Sequence, residues 1–172
     1  MPKQKIHEIT RKKTKHMSIN LLTSTLAVIL SGVLSSNHIA AQKPQDRNTT
    51  KHIAEIRAVL DAQRDAWNRG DIDAYMQGYA QSKDTIFVSG DNVTRGWQTV
   101  LERYKRNYNS REKMGTLTFS DLETTLLSKD AALVVGRWHL RRANDEPHGR
   151  FTLIFRRTKQ GWKIIHDHTS SA

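Results

Sequence analysis

From residue 115 onward, apolar and polar side chains alternate with a period of two. Thr116–Leu127, Ala131–Arg142, Arg150–Arg157 and Trp162–Thr169 therefore read as four strands joined by short polar turns. The last two flank a connection closed by Gly161, the pattern of an antiparallel hairpin. Upstream the period is helical: Ile53, Ile56, Leu60 and Trp67 recur on one face of a helix that begins near Lys51. Asn68-Arg69-Gly70 ends it with a residue suited to a left-handed conformation, and Asp71 is placed to cap a second helix over 72–80, with Tyr75, Met76 and Tyr79 inward. Asp84–Ser89 reads as a short strand, Gly90-Asp91-Asn92 as a turn and Val93–Arg95 as a returning strand. Trp97, Val100, Leu101, Tyr104 and Tyr108 then mark a third amphipathic helix. Helices followed by a meander predict an α+β domain in which long strands curl over the helices and leave a hollow for a small ligand.

The first 41 residues have a different organisation. Lys3, Lys5, Arg11, Lys12, Lys13 and Lys15 precede an apolar run from Ile19 to Leu34, and Ile39-Ala40-Ala41 supplies small residues before Gln42. This is the layout of a secretory signal peptide, and the run is shorter than the ~20 apolar residues of a bilayer-spanning helix. Residues 1–41 are thus expected to be cleaved near Ala41, which implies a periplasmic or secreted protein with no lasting membrane anchor. Residues 42–50 read as a flexible polar leader, and 51–172 as the folded domain.

Setting the signal aside changes the charge. Six of the 28 basic residues and one of the 17 acidic residues lie within it, so the remainder has 22 basic and 16 acidic residues and a net charge of +6 rather than +11. The remaining basic groups, such as Arg103/Lys105/Arg106 and Arg156/Arg157, form no long block, and a nucleic-acid partner is not expected. The absence of cysteine excludes disulfides, thiolate metal sites and a cysteine nucleophile. Nucleophile-elbow, phosphate-loop, dinucleotide and metalloprotease motifs are absent from the sequence too.

The candidate chemistry gathers at the end of the last strand, His166-Asp167-His168. Alternation puts both histidines on one face and Ile165, Asp167 and Thr169 on the other. Trp162 and Ile164, on the histidine face, are at least as apolar as Lys163 and Ile165, so a slip of one residue would exchange Asp167 for His166 and His168 in a pocket. His-x-His could serve zinc with His139 or His148 as a third ligand, but two imidazoles without a carboxylate partner are a weak signal, and no metal is expected.

The segments AWNRGDIDAYMQGYA, DTIFVSG, TRGWQTVLERY and GRFTLIFRRTKQGWKIIHDHTS together resemble the SnoaL-like and DUF4440 branch of the nuclear transport factor 2 superfamily, from about Ile53 to Ser170. The resemblance implies a cone-shaped fold, in which three helices pack into a curved antiparallel sheet of four long strands plus a short strand pair. It also implies frequent dimers through the outer sheet face and a pocket between sheet and helices. It implies no single activity, since the superfamily holds enzymes and binding modules alike. Alignment on ketosteroid isomerase through the N-x-G-D helix end puts Gln63 at the tyrosine position, Ser89 near the base, and Thr152, Leu153 or Ile154 at the partner aspartate. None of the three site residues is kept, so steroid isomerase chemistry is not expected. The same alignment lines the concave face with Ile165, Asp167 and Thr169, with Thr152 and Ile154, and with Arg137 and His139, and makes Trp67, Ser89, Trp97 and Tyr104 the helix-side walls.

The resulting expectation is an exported, homodimeric domain without a cofactor that binds a small, largely apolar molecule carrying a polar or acidic group. Its ligand-binding candidates are Trp67, Ser89, Trp97, Tyr104, Thr152, Ile165, Thr169, His166 and His168. The alternative is a cofactor-independent isomerase, dehydratase or cyclase with Asp167 as base, His139 as proton shuttle and Arg137 or Tyr104 stabilising oxyanion charge. A buried ion pair between Asp167 and Arg137 would be the purely structural outcome.

Overall fold

The computed structural model describes residues 47–172; the expected signal peptide and residues 42–46 of the leader lie outside the described residues. Helix α1, Arg47–Arg69, starts inside the stretch read as leader. Its first turns are tied to the sheet: the His52 ring packs edge-on to Trp162 at 5.5 Å. Glu55 Oε2 lies 3.1 Å from His52 Nδ1 and accepts from the Trp162 indole, also at 3.1 Å. The buried seam of α1 is His52, Ile56, Leu60, Gln63, Ala66 and Trp67, so two polar residues occupy an otherwise apolar stripe, with Ile53 half-buried beside it.

The helix stops where the sequence said it would. Gly70, at φ 83°, donates to Trp67 O at 2.8 Å and Asp71 N–H reaches Ala66 O at 2.9 Å. These two bonds satisfy carbonyls that the helix end would otherwise leave unpaired. The Asp71 carboxylate then accepts from Ala74 N at 2.9 Å and starts α2, Ile72–Met76.

Helix α2 is shorter than the predicted 72–80 because the chain leaves it to pair with the sheet. Ala80 N–H donates to Ile164 O and Ile164 N–H to Gly78 O, both at 2.9 Å, which makes a parallel bridge between Tyr79 and Ile164. Gly78 permits this because a Cβ there would sit 2.5 Å from Gln63 Cδ. Gly78→Ala is expected to displace Gln63 and lower stability by about 1–3 kcal/mol, the usual cost of overpacking. Chemical denaturation checks this; an unchanged midpoint would show that Gln63 yields freely.

The rest of the chain is β1 (Ile86–Ser89), β2 (Asn92–Arg95), α3 (Trp97–Asn107), α4 (Arg111–Met114), β3 (Thr116–Leu126), β4 (Ala131–Arg141), β5 (His148–Thr158) and β6 (Gly161–Thr169). The fold is α+β, with the helices packed against one curved sheet in the order β2-β1-β6-β5-β4-β3. The four long strands form the predicted antiparallel meander. The short pair joins the same sheet, since β1 runs parallel to β6 and sets Phe87 beside Asp167 and Ser89 beside Thr169. Asn68 locks α1 to β3 by bonding both Leu117 N (2.7 Å) and Leu117 O (3.0 Å). The core between the layers includes Ile56, Leu60, Met76, Val134, Phe155 and Ile164, none more than 2 % exposed.

Candidate functional site

A β-bulge decides what the last strand presents. Phe155 pairs with Ile164 but its neighbour Ile154 pairs with His166, so Ile165 is an extra residue without a cross-strand partner. Trp162 and Ile164 point into the core before the bulge, and Asp167 and Thr169 point to the same side after it. Neither uniform register anticipated from the sequence occurs. The bulge buries the apolar pair and the acid together.

Asp167 is only 4 % exposed. Its Oδ2 accepts from the Tyr79 hydroxyl and its Oδ1 from the Thr169 hydroxyl, each at 2.7 Å. Burial pushes the carboxyl up to about 6, against the opposing pull of these two donors and of His168. The parallel bridge that ends α2 is what holds Tyr79 over the acid.

Asp167 lines a cavity of about 140 Å³ between sheet and helices. Its helix-side wall is aromatic. Trp67 meets Tyr75, Tyr104 and Tyr108 edge-on at 5.2, 6.1 and 4.7 Å between centroids, Tyr75 and Tyr104 lie 5.3 Å apart, and Phe87 lies 5.6 Å from Tyr104. The Trp67 indole donates to Met114 O at 3.0 Å, which fixes the central ring. Phe119, Trp138, Leu140, Phe151 and Leu153 form the opposite, sheet-side wall. Exposed Asn107 and Ser171, with half-buried Arg103, mark where the cavity meets solvent. Burial, reinforced by the nearby Asp167 charge, holds the Tyr75, Tyr79 and Tyr104 hydroxyls above the ordinary phenol range, so they stay protonated donors at neutral pH.

Of the residues singled out from the sequence, Trp67, Ser89, Tyr104, Asp167 and Thr169 line this cavity together. Trp97 does not; it packs on the core with its indole donating to Met76 O at 2.9 Å. Thr152 and Ile154 lie on the outer face because Phe151, Leu153 and Phe155 take the inward positions of β5. Arg137 and His139 are outward for the same reason, with Gly136, Trp138 and Leu140 inward on β4. Arg137 sits 4.0 Å from Asp121, and His139 Nε2 sits 3.4 Å from Glu146. The anticipated Asp167–Arg137 pair therefore does not form; the expected shuttle His139 and the donor Arg137 lie outside the pocket, while Asp167 and the alternative oxyanion donor Tyr104 line it. Ile165 is the bulged residue, outside the cavity, and His166 and His168 face away from it. Among the described residues no group of three His, Asp or Glu side chains is placed to hold a metal ion.

Tyr75, Tyr79 and Tyr108, inward by the helical pattern, line the cavity with Tyr104, so all four tyrosines of the chain meet there. Gln63 and Phe87 line it as well. The sequence carries a signal for the tyrosines: all four are confined to two helical segments, on the faces the pattern turns inward.

Comparison with solved structures agrees with this fold. The structure of an NTF-2-like protein of unknown function from Shewanella oneidensis MR-1 is 44% identical, covers 69% of this chain and 98% of that chain, and superposes with a TM-score of 0.66. A nuclear transport factor 2-like superfamily protein from Salmonella enterica serovar Typhimurium is 22% identical over 71% of this chain and 92% of its own, with a TM-score of 0.58. A ketosteroid isomerase-like protein from Erwinia carotovora atroseptica is 20% identical over 70% and 96%, with a TM-score of 0.57. No curated protein matches the chain. The family model for the SnoaL-like domain matches residues 56–172, and the chain belongs to that family, within the NTF2-like superfamily.

Proposed function

We propose that the domain binds a small, largely apolar molecule in the aromatic cavity, with Asp167 as its polar anchor. One observation carries this: a buried carboxylate whose partners are both neutral hydroxyls lies in the wall of an aromatic cavity whose lining has no histidine to shuttle a proton. The volume is close to the roughly 150 Å³ of an apolar cavity that admits benzene, which limits the buried part of the ligand to about one ring. A thermal-shift screen of single-ring compounds tests the reading. Hits should raise the melting temperature of the unmodified protein and fail with Leu153→Trp, which fills the cavity. Hits that survive the filling would place binding elsewhere.

A second reading has its own support. A carboxyl held at about 6 next to a tyrosine hydroxyl suits a general base working near neutrality. A proton-transfer enzyme would exchange the acidic C–H of a bound carbonyl compound with deuterated water and lose that exchange in Asp167→Asn, whereas a binding module would show no exchange. Export, by the signal-like pattern of residues 1–41, and a homodimer through the outer sheet face belong to the same proposal. Half-buried Leu133, Val135, Ile154 and Ile165 on the sheet, outside the cavity lining, support the dimer.

A further inference from the structure

The charge pattern of the cavity narrows the class of ligand. Its lining contains two ionisable groups of formal charge at neutral pH, Asp167 and Arg103. Arg103 has its guanidinium 5.1 Å above the Phe87 ring and donates to Thr94 Oγ1 at 2.9 Å. Asp167 has no basic side chain within ion-pair distance among the described residues, since the ion pairs formed there all involve other acids. Each of its oxygens accepts one hydroxyl hydrogen bond, which leaves a lone pair on each for a further donor. An unpaired carboxylate in an apolar site is unfavourable until a cation or strong donor reaches it.

The aromatic wall favours the same sign of charge. Ring faces carry negative potential, and ammonium groups bind over Trp and Tyr faces with an energy that grows when water is excluded. Trp67, Tyr75 and Tyr104 are each at least nine-tenths buried and line the same cavity as Asp167. An anion placed beside Asp167 would face a buried acid, while the positive group of the lining, Arg103, is engaged with Phe87 and Thr94; a neutral molecule would leave the acid without a counter-charge.

We propose that the cavity is built for a small primary amine, bound as its ammonium ion on Asp167 with its apolar body against Trp67, Tyr75 and Tyr104. The inference rests on the binding role proposed for this pocket and adds the chemistry of its occupant. The N–H groups of the ammonium would donate to the two free lone pairs of the carboxylate.

Three probes of one shape test it: benzylammonium, benzyl alcohol and benzoate, titrated calorimetrically into the full chain. Benzylammonium should bind at least about tenfold more tightly than benzyl alcohol, and benzoate more weakly than either. Asp167→Asn should erase the preference for the amine while benzyl alcohol still binds. The comparison on unmodified protein stands even if that variant fails to fold. Equal affinity for amine and alcohol, or tightest binding of benzoate, would overturn the amine assignment and leave the pocket's binding role intact. Failure of all three at millimolar concentration would overturn both.

Discussion

Asp167→Asn is expected to gain about 3 kcal/mol on the unmodified protein between pH 4 and pH 8. The carboxyl stands near 6 in the folded chain against 3.8 when free, and a separation of about two pH units corresponds to roughly 3 kcal/mol. Below pH 4 both states hold the proton and the group contributes equally to each. Between pH 4 and 6 the unfolded chain releases the proton while the folded chain retains it, so folding stability falls as pH rises and levels off above 6. Asparagine has no proton to lose, and its amide can still accept from one of the two hydroxyls that hold the acid. Denaturation midpoints of both proteins across this range give the difference directly. Taking the difference cancels other titrating groups, including Glu55, whose carboxyl is lowered chiefly by His52 and whose influence therefore lies at lower pH. A flat difference would mean that water or a cation already reaches Asp167.

Trp67→Ala should cost about 3–5 kcal/mol, in the range for removal of a fully buried large aromatic. Trp67 is 3 % exposed, contacts three tyrosine rings and ties α1 to Met114 through its indole. Its loss removes the central ring of the cavity wall and opens space beside Tyr104 and Tyr108. Trp67→Phe separates the two contributions: it keeps most of the apolar contact but leaves Met114 O without its donor, an expected loss of about 1–3 kcal/mol. Urea denaturation of both variants measures them. Near-equal losses would show that the indole hydrogen bond, rather than the packing, dominates.

The cavity lies where the patterning placed a hollow, but of its 21 lining residues five, Trp67, Ser89, Tyr104, Asp167 and Thr169, were expected there. On β4 and β5 the alternation itself held the answer: Val134, Trp138 and Leu140, and Phe151, Leu153 and Phe155, are more apolar sets than those containing Arg137 and His139 or Thr152 and Ile154. Alignment to the family pointed to the other face, and burial of apolar surface prevailed. Helix α4 escaped notice because four residues are too few to show a period. Tyr79 was recognised as inward, but as part of a helix rather than of the bridge that brings its hydroxyl to Asp167.

Local patterning was enough to place α1, α3 and the start of α2, the four long strands, the capping at Gly70 and Asp71, and the turn at Gly90, because each depends on side chains within a few residues of one another. The parallel seat of β1 on β6, the bulge at Ile165, and the meeting of Tyr79 with Asp167 depend on partners up to 88 positions apart. The face Asp167 would show was open in the primary structure, since Trp162 and Ile164 sought burial in one register and Asp167 required the other. Only packing against the helices selected the extra residue that keeps Trp162 and Ile164 in the core while Asp167, at a cost in desolvation, enters the aromatic pocket with Tyr79 and Thr169 as its donors.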